Sequence, residues 1–138
     1  MTNEEARQVA YLLNTRNQLV RKHTVKTVLE KKDNYVFLTE SQNIIACAES
    51  KKVQWYQWEI CHVSVAISEE GRGIGGKILK LAEERATKGG AKILQCTIRS
   101  DNEKSIRLFL NHGYNQVSSF YNNLSGNWVY VFQKSVST

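Results

Sequence analysis

A glycine-rich turn places the strongest constraint on what this chain can fold into. Residues 71–76 are Gly-Arg-Gly-Ile-Gly-Gly, and they separate an apolar segment from a stretch whose apolar residues recur at helical spacing. Glycine lets a backbone turn sharply and lets a ligand approach it without meeting a Cβ atom. The first turn of the following helix leaves N–H groups unpaired and carries a partial positive charge. Such a corner favours a phosphate or diphosphate group as its ligand.

Two other phosphate-binding motifs fit this turn less well. A P-loop requires Lys followed by Ser or Thr after its last glycine, whereas Lys77 is followed by Ile78 here. A dinucleotide-binding turn requires an acidic residue about 20 residues further on, at the end of the next strand. The next predicted strand ends at Arg99 without a carboxylate at its tip. Both motifs are excluded, and a turn that only closes a tight strand-to-helix corner remains as the structural alternative.

The order of predicted elements indicates an α/β or α+β fold. Asn3 is predicted to cap the first helix, and the glycines at 89 and 90 are predicted to end the helix after the turn in a left-handed conformation. Residues 56–67 are apolar at nearly every position beyond Ile60, which is typical of a central strand covered on both faces. The predicted helices are residues 3–14, 75–88 and one that Asp101 or Asn102 caps and Gly113 ends, with residues 17–32 helical in part; the predicted strands are 35–39, 44–49, 56–67, 93–98 and a closing pair around the turn at 122–127. These elements predict a mixed, mostly antiparallel central sheet flanked by helices.

Length and composition predict one globular domain. The chain has 138 residues, of which 41% are hydrophobic and 23% charged, so it can bury a core without disulfides or metals. No segment approaches the ~18 apolar residues of a membrane helix. The acidic start of the chain does not resemble a signal peptide. We therefore expect a single domain over residues 1–138, in the cytoplasm, with no metal site and no membrane partner.

The three cysteines are predicted to be reduced. Cys47, Cys61 and Cys96 each lie inside an apolar, strand-like run, and their odd number argues against a disulfide framework. Core packing is the interpretation for all three. A nucleophilic Cys61 assisted by His62 is the alternative, but neighbouring residues of a regular strand point to opposite faces.

The basic balance of the chain is concentrated near its start. The formal net charge is +6, and residues 1–32 hold seven basic residues against three acidic ones. Such a balance is typical of proteins that bind nucleic acid, acidic substrates or phosphate-rich cofactors. No aromatic residues alternate with these charges, as stacking on a single strand would require. A solvated helix surface is therefore the prediction, and nucleic acid is the least favoured partner.

The glycine turn and a second motif together resemble the GNAT superfamily of N-acetyltransferases. The family signature is Arg/Gln-x-x-Gly-x-Gly/Ala between a strand and the following helix, and residues 70–75 match it except that Glu70 stands in the Arg/Gln place. The second motif is an Asn, a small residue, a Tyr and a Gly-Phe pair across the next helix. Residues 102–114 have this spacing. The resemblance covers residues 56–114 and extends toward residue 133, but it is poor before residue 34, where the family's first strand is missing or very short.

This resemblance implies acetyl-CoA, a coenzyme A thioester, as the co-substrate. Main-chain groups of Val63, Ser64 and Val65 would pair with the pantetheine arm, where their strand separates from its neighbour. The Asn102 side chain would reach the pantetheine, with a helix N-cap as its alternative role, and Phe109 would lie near the thioester. The main-chain N–H groups that would bind the diphosphate belong to Gly71, Arg72, Gly73, Ile74, Gly75 and Gly76.

The resemblance also implies direct attack of an amine on the thioester, which requires a base. Glu59 is the candidate base, because histone-acetylating members carry a strand carboxylate at the same spacing before the glycine turn. Its neighbours Trp58 and Ile60 would partly remove it from water, whereas a solvent-facing Glu59 is the structural alternative. His62 is the second candidate, because an imidazole titrates near neutrality. Regular strand alternation would place His62 on the face opposite Glu59.

One departure from the family concerns the proton that the leaving thiolate needs. Many members use a Tyr hydroxyl where this chain has Phe109. Water, Tyr114 or Tyr121 would then supply the proton. The alternative is a non-catalytic acyl-CoA-binding or regulatory module. The acceptor stays open between small-molecule and protein amines, and we expect residues 1–32 and 119–128 to recognise it.

Overall fold

The helices and strands follow the predicted order. The computed structural model describes residues 1–17 and 22–136. Its helices are α1 (Asn3–Arg16), α2 (Val25–Glu30), α3 (Ile74–Lys88) and α4 (Glu103–Asn111), and its strands are β1 (Tyr35–Glu40), β2 (Asn43–Lys52), β3 (Gln57–Val65), β4 (Ile93–Arg99), β5 (Asn115–Asn122) and β6 (Asn127–Ser135). Of the partly helical stretch predicted at 17–32, the structure gives α2, while residues 18–21 lie outside the described part. None of these helices is long and apolar enough to cross a membrane.

The cap of α1 differs from the prediction. Thr2, not Asn3, is the N-cap: its hydroxyl accepts a hydrogen bond from Glu5 N at 3.0 Å, and Glu5 Oε1 accepts one from Thr2 N at 2.8 Å. This is the reciprocal capping box of a Thr followed three residues later by a Glu. The prediction that Asn3 is the N-cap was wrong, because a Thr paired with a Glu satisfies two helix-terminal N–H groups instead of one.

Six strands form one sheet in the order β1-β2-β3-β4-β6-β5. Only the β3–β4 pair is parallel; the other four pairs are antiparallel. The mixed, mostly antiparallel sheet and the central position of β3 are therefore confirmed. Within the described residues α1 is the first element and no strand precedes it, as the sequence indicated.

Two apolar clusters hold the helices to the sheet. One joins α3 and α4 to the sheet and includes Ala46, Ala48 and Ile78. The other joins α1 and α2 to β1 and β2 and includes Cys47. Because successive strand residues point to opposite faces, residues 46–48 place the two clusters on opposite sides of β2. The helices therefore cover both faces of the sheet.

Gly89, the C-cap of α3, must be a glycine for a reason that its neighbours in sequence do not show. Its φ is −79°, so it is not left-handed as predicted, whereas Gly90 is left-handed at +98°. A Cβ atom on Gly89 would lie 2.3 Å from Cζ2 of Trp58. The Arg85 guanidinium lies 5.3 Å from the centroid of the same ring. Gly89 is therefore required by the close approach of the indole ring.

We expect Gly89→Ala to lower the free energy of unfolding by about 1–3 kcal/mol, because a methyl group cannot fit against the buried Trp58 ring without moving it. Urea unfolding followed by tryptophan fluorescence measures the change. Gly75→Ala is the matched control, since its added Cβ meets neighbours only at ordinary distances of 3.7 Å and more. Equal stabilities of the two variants would contradict the packing argument.

Candidate active site

The site begins where β3 and β4 separate. The two strands pair only from Gln57↔Ile93 to Glu59↔Gln95, while β4 continues to pair with β6 as far as Arg99↔Val129. β3 keeps its pairing with β2 up to Ala46↔Val65. A gap therefore opens between β3 and β4 beyond Glu59, and the main chain of residues 63–65 borders it.

The glycine turn lies at the open end of this gap. Gly71 and Gly73 have φ values of +82° and +74°, the left-handed region that favours glycine. Gly73 is the N-cap of α3 and offers no side chain to the helix. The first α3 hydrogen bond of this corner runs from Lys77 N to Gly73 O at 3.4 Å, so the amides of residues 74–76 have no acceptor within the helix. The predicted corner of left-handed glycines and unpaired amides is therefore present, and binding of an anion there stays a prediction.

Two adjoining cavities follow the gap. We call the first, of about 460 Å³, the splay cavity; its lining includes Ile60, His62, Val63, Thr97 and Phe109. We call the second, of about 400 Å³, the glycine-loop cavity; its lining includes Val63, Val65, Gly71, Gly75 and Leu108. Both are also lined by Arg16, Asn17, Asn102 and Ser105. The shared lining residues place the two cavities side by side between the α3 N-terminus and Phe109, and we call them together the groove.

The structure brings most of the predicted cofactor residues into this groove. The glycine-loop cavity is lined by Val63, Ser64, Val65, Gly71, Gly73, Ile74, Gly75 and Asn102, and the splay cavity by Val63, Asn102 and Phe109. Arg72 and Gly76 line neither cavity. The Arg72 guanidinium pairs with Glu69 and, at 3.5 Å, with Glu40. Arg72 is therefore paired with two carboxylates, of which Glu69 lines the glycine-loop cavity and Glu40 does not.

Asn102 has the position that both of its predicted roles require. Its Oδ1 accepts a hydrogen bond from Ser105 N at 3.2 Å, so it is the N-cap of α4. The same residue lines both cavities. The capping role is confirmed, and a contact to the pantetheine arm stays a prediction.

Glu59 lies in a hydrogen-bonded row across the sheet. Its Oε1 accepts a hydrogen bond from Gln95 Nε2 at 3.2 Å, and Gln95 Oε1 accepts one from Gln133 Nε2 at 2.7 Å. Cys61 Sγ lies 4.0 Å from Glu59 Oε2. The carboxylate is half-buried and lines neither cavity, although its neighbour Ile60 lines the splay cavity. Its position at the last β3–β4 pair places it where the gap begins.

His62 does not follow the regular alternation of β3. Its φ of +55° accompanies a break in the β2–β3 register between Cys47 and Glu49. Such a bulge re-aims side chains. His62 lines the splay cavity and packs edge-on against His23, with 5.7 Å between ring centroids. The prediction that regular alternation sets the face of β3 on which His62 lies is therefore wrong.

A buried carboxylate lies near both histidines. Glu49 is 5% exposed, and its Oε2 has no hydrogen-bond partner within the described part of the chain. Burial lowers the pKa of His23 and of His62, and the Glu49 charge opposes this in both cases. The two imidazoles are thus disposed to be neutral near physiological pH, which is the form that can accept a proton.

The cysteines and the two candidate tyrosines are unsuited to chemistry in the groove. Burial raises the pKa of the Cys61 thiol to about 12, so it carries little thiolate near neutral pH. Cys47 and Cys96 are buried, as predicted. Tyr114 is 1% exposed, and its hydroxyl donates a hydrogen bond to Glu83 Oε2 at 2.8 Å. Tyr121 packs against Trp128, and neither tyrosine lines a cavity.

Sequence reasoning missed three residues that line both cavities: Arg16, Asn17 and Ser105. Ser105 could have been found, because it occupies the small-residue place of the second motif. Arg16 and Asn17 end α1 and lie far from the glycine turn in sequence. Asn17 Nδ2 donates to Ser64 Oγ at 2.8 Å, a contact that only the packing of α1 against β3 creates.

Comparisons with known proteins agree with this architecture. A family model described as "Acetyltransferase (GNAT) family" matches residues 4–114. No curated protein sequence matches the chain significantly. Similar solved structures include Ard1 from Thermoplasma volcanium, at 15% identity and a TM-score of 0.85, covering 100% of this chain and 95% of that one. The ribosomal-protein-alanine N-acetyltransferase from Brucella melitensis has 15% identity, a TM-score of 0.83 and coverages of 99% and 97%. The putative acetyltransferase yncA from Salmonella typhimurium, solved with acetyl-CoA, has 15% identity, a TM-score of 0.83 and coverages of 99% and 91%.

Proposed function

Because the chain belongs to the acetyltransferase (GNAT) family, we propose that it transfers an acetyl group from acetyl-CoA to an amine by direct attack of the amine on the thioester. The single observation that carries this proposal is the groove formed by the two adjoining cavities. At one end lies the N-terminus of α3, which suits a diphosphate. At the other end lies the gap between β3 and β4, which suits the extended pantetheine arm. The similar acetyltransferase from Salmonella typhimurium, which contains acetyl-CoA, supports the choice of co-substrate.

The groove offers the kinds of contacts that this co-substrate needs. Gly71 and Gly73 leave open space, since a Cβ atom on either would meet nothing within 4 Å. Residues 63–65 offer main-chain groups that β4 does not use. Asn102 adds a polar side chain between the two cavities, and Phe109 is an apolar wall of the inner one. The proposed contacts are the diphosphate with the amides of 71–76 and the pantetheine arm with residues 63–65 and Asn102.

Glu59 is the proposed base, and its surroundings support that role. The reaction forms a bond from nitrogen to the acetyl carbon, breaks the bond from that carbon to sulfur, and moves a proton from the nitrogen to a base. The half-buried Glu59 carboxylate is held by Gln95 at the point where the gap begins. His62 is the second candidate, since it lines the splay cavity directly. Water is the proposed proton source for the thiolate, because Tyr114 and Tyr121 lie outside both cavities.

The acceptor is proposed only as an amine, on a small molecule or on a protein. Two of the similar structures are ribosomal-protein-alanine N-acetyltransferases, from Brucella melitensis and Escherichia coli, and these support the amine class. We propose the cytoplasm as the compartment, supported by three cysteines that are free of disulfides. A non-catalytic acyl-CoA-binding module is the alternative, favoured because no tyrosine hydroxyl of the described residues lines either cavity.

We expect acetyl-CoA to raise the melting temperature, because a ligand that binds only the folded state stabilises it. At a concentration of 100 times Kd the stabilisation is about 2.7 kcal/mol. NAD is the control, since it shares the adenosine and diphosphate but lacks the pantetheine arm. An unchanged melting temperature with acetyl-CoA would contradict the proposed function. Multiple-turnover release of free thiol with an amine would exclude the non-catalytic alternative.

A further inference from the structure

The carboxylate of Glu70 lies between two cations in the lining of the glycine-loop cavity. The Arg16 guanidinium, at the end of α1, pairs with Glu70 Oε1, and the Lys104 ammonium, in the first turn of α4, lies 3.2 Å from Oε2. All three residues line the glycine-loop cavity. One carboxylate therefore links the glycine turn to two helices from different parts of the chain.

Arg16 is fixed toward the cavity by a second contact. Its Nε donates a hydrogen bond to the main-chain oxygen of Val65 at 3.0 Å. Its side chain is 26% exposed, compared with 72% for Lys104. The guanidinium is therefore the better ordered of the two cations, and a fixed planar donor set suits a phosphate.

The negative charge of Glu70 would repel a diphosphate bound in this cavity. The family signature has Arg or Gln at this position, while Arg72, the arginine of the turn itself, lines neither cavity and pairs with Glu69 and Glu40. The other charged residues that line the cavity are Glu69 and Arg107. Arg16, Lys104 and Arg107 thus supply from α1 and α4 positive charge that the turn does not direct into the groove, and Arg16 and Lys104 are the two that pair with Glu70.

We propose that Arg16 and Lys104 bind the diphosphate of coenzyme A, and that Glu70 occupies both cations until the diphosphate displaces it. This inference rests on the proposed function and assigns to this site a competing carboxylate of the chain itself. Glu70 lowers the affinity for the co-substrate in two ways: it takes the cations, and it repels the phosphate groups. It also ties the end of α1 to the glycine turn in the free protein.

We expect Glu70→Ala and Glu70→Gln each to bind acetyl-CoA about 3- to 10-fold more tightly than the wild type, because both remove the competing charge. Arg16→Gln is expected to bind at least about 10-fold more weakly. Isothermal titration calorimetry measures all four dissociation constants. Two Glu70 variants are needed because Gln restores a family residue that could contact the ligand itself, whereas Ala cannot. A gain in Glu70→Gln alone would overturn the displacement.

Two further measurements sharpen the test. In the Arg16→Gln background, Glu70→Ala should give a smaller gain, because part of the competition has already been removed. Dephospho-CoA, which keeps the diphosphate and lacks the 3′-phosphate, should show the same gain as CoA in Glu70→Ala. Loss of the gain with dephospho-CoA would mean that Glu70 opposes the 3′-phosphate, and the assignment would be wrong.

Glu103→Gln is the matched control, since Glu103 is an exposed carboxylate next to Lys104 that lines neither cavity. This variant should leave the dissociation constant for acetyl-CoA unchanged. If it gained as much affinity as the Glu70 variants, the change in net charge alone would explain the effect, and the inference would be overturned. If the wild-type protein binds acetyl-CoA and both Glu70 variants bind it equally or more weakly, this inference is overturned and the proposed function is left intact. Absence of coenzyme A binding in every variant would overturn both.

Discussion

Gly75→Asp is expected to weaken acetyl-CoA binding by at least about 100-fold while the protein stays folded. A Cβ atom on Gly75 would lie 3.7 Å from Leu108 Cδ2 and 3.9 Å from Val65 Cγ2, so it fits without a clash but stands in the glycine-loop cavity. The carboxylate would compete with the diphosphate for the amides of the α3 N-terminus. Two like charges 4 Å apart repel by about 4 kcal/mol at an effective dielectric constant of 20, and a 100-fold loss corresponds to about 2.7 kcal/mol.

The fold should tolerate this change. An acidic residue in the first turn of a helix is favourable by about 0.3–1 kcal/mol, so the melting temperature without ligand should stay close to that of the wild type. Isothermal titration calorimetry and thermal unfolding measure the two quantities. Gly126→Asp is the control, because it adds the same charge at a turn with φ +71° that lines neither cavity, a conformation that Asp tolerates. Wild-type affinity in Gly75→Asp would mean that the diphosphate binds elsewhere.

Glu59→Gln is expected to lower kcat by about 10²- to 10⁴-fold, because the variant keeps the shape of the side chain but cannot accept a proton from the amine. The amide oxygen can still accept the hydrogen bond from Gln95 Nε2, so the sheet should be undisturbed. The affinity for acetyl-CoA should be preserved, since Glu59 lines neither cavity. Steady-state thiol release with an amine acceptor gives kcat, and calorimetry gives the affinity.

The comparison with His62→Gln decides between the two candidate bases. If His62 is the base, its variant shows the large loss and Glu59→Gln remains active. The pH dependence gives a second criterion: a base must be deprotonated, so activity falls as the pH drops through its pKa. Burial holds the pKa of His62 below its ordinary value, so the acidic limb of a His62-dependent reaction would lie below the usual imidazole range. Glu84→Gln, at an exposed carboxylate on α3, is the control for a change of charge alone.

Local patterns were sufficient for the helices and strands and for the glycine turn before α3. Glycine spacing, apolar periodicity and the Asn102 cap depend on interactions within a few residues of the chain, and each was confirmed. The predicted cap of α1 was wrong, because a Thr2–Glu5 pair takes the place of Asn3. Of the two glycines after α3, Gly90 is left-handed as predicted, whereas Gly89 is required by the distant Trp58 ring. The bulge at His62 followed from pairing with β2, which no pattern within β3 encodes.

The sequence by itself determined the order of helices and strands, the glycine turn before α3, and the family to which the chain belongs. The tertiary structure alone decided where β3 leaves β4, that Arg16 reaches Glu70, and that Tyr114 turns its hydroxyl to Glu83 and away from the groove. The physical reason is the range of the interactions. Hydrogen bonds within a turn involve residues three or four apart, whereas ion pairs and side-chain packing join residues that only the folded sheet brings together.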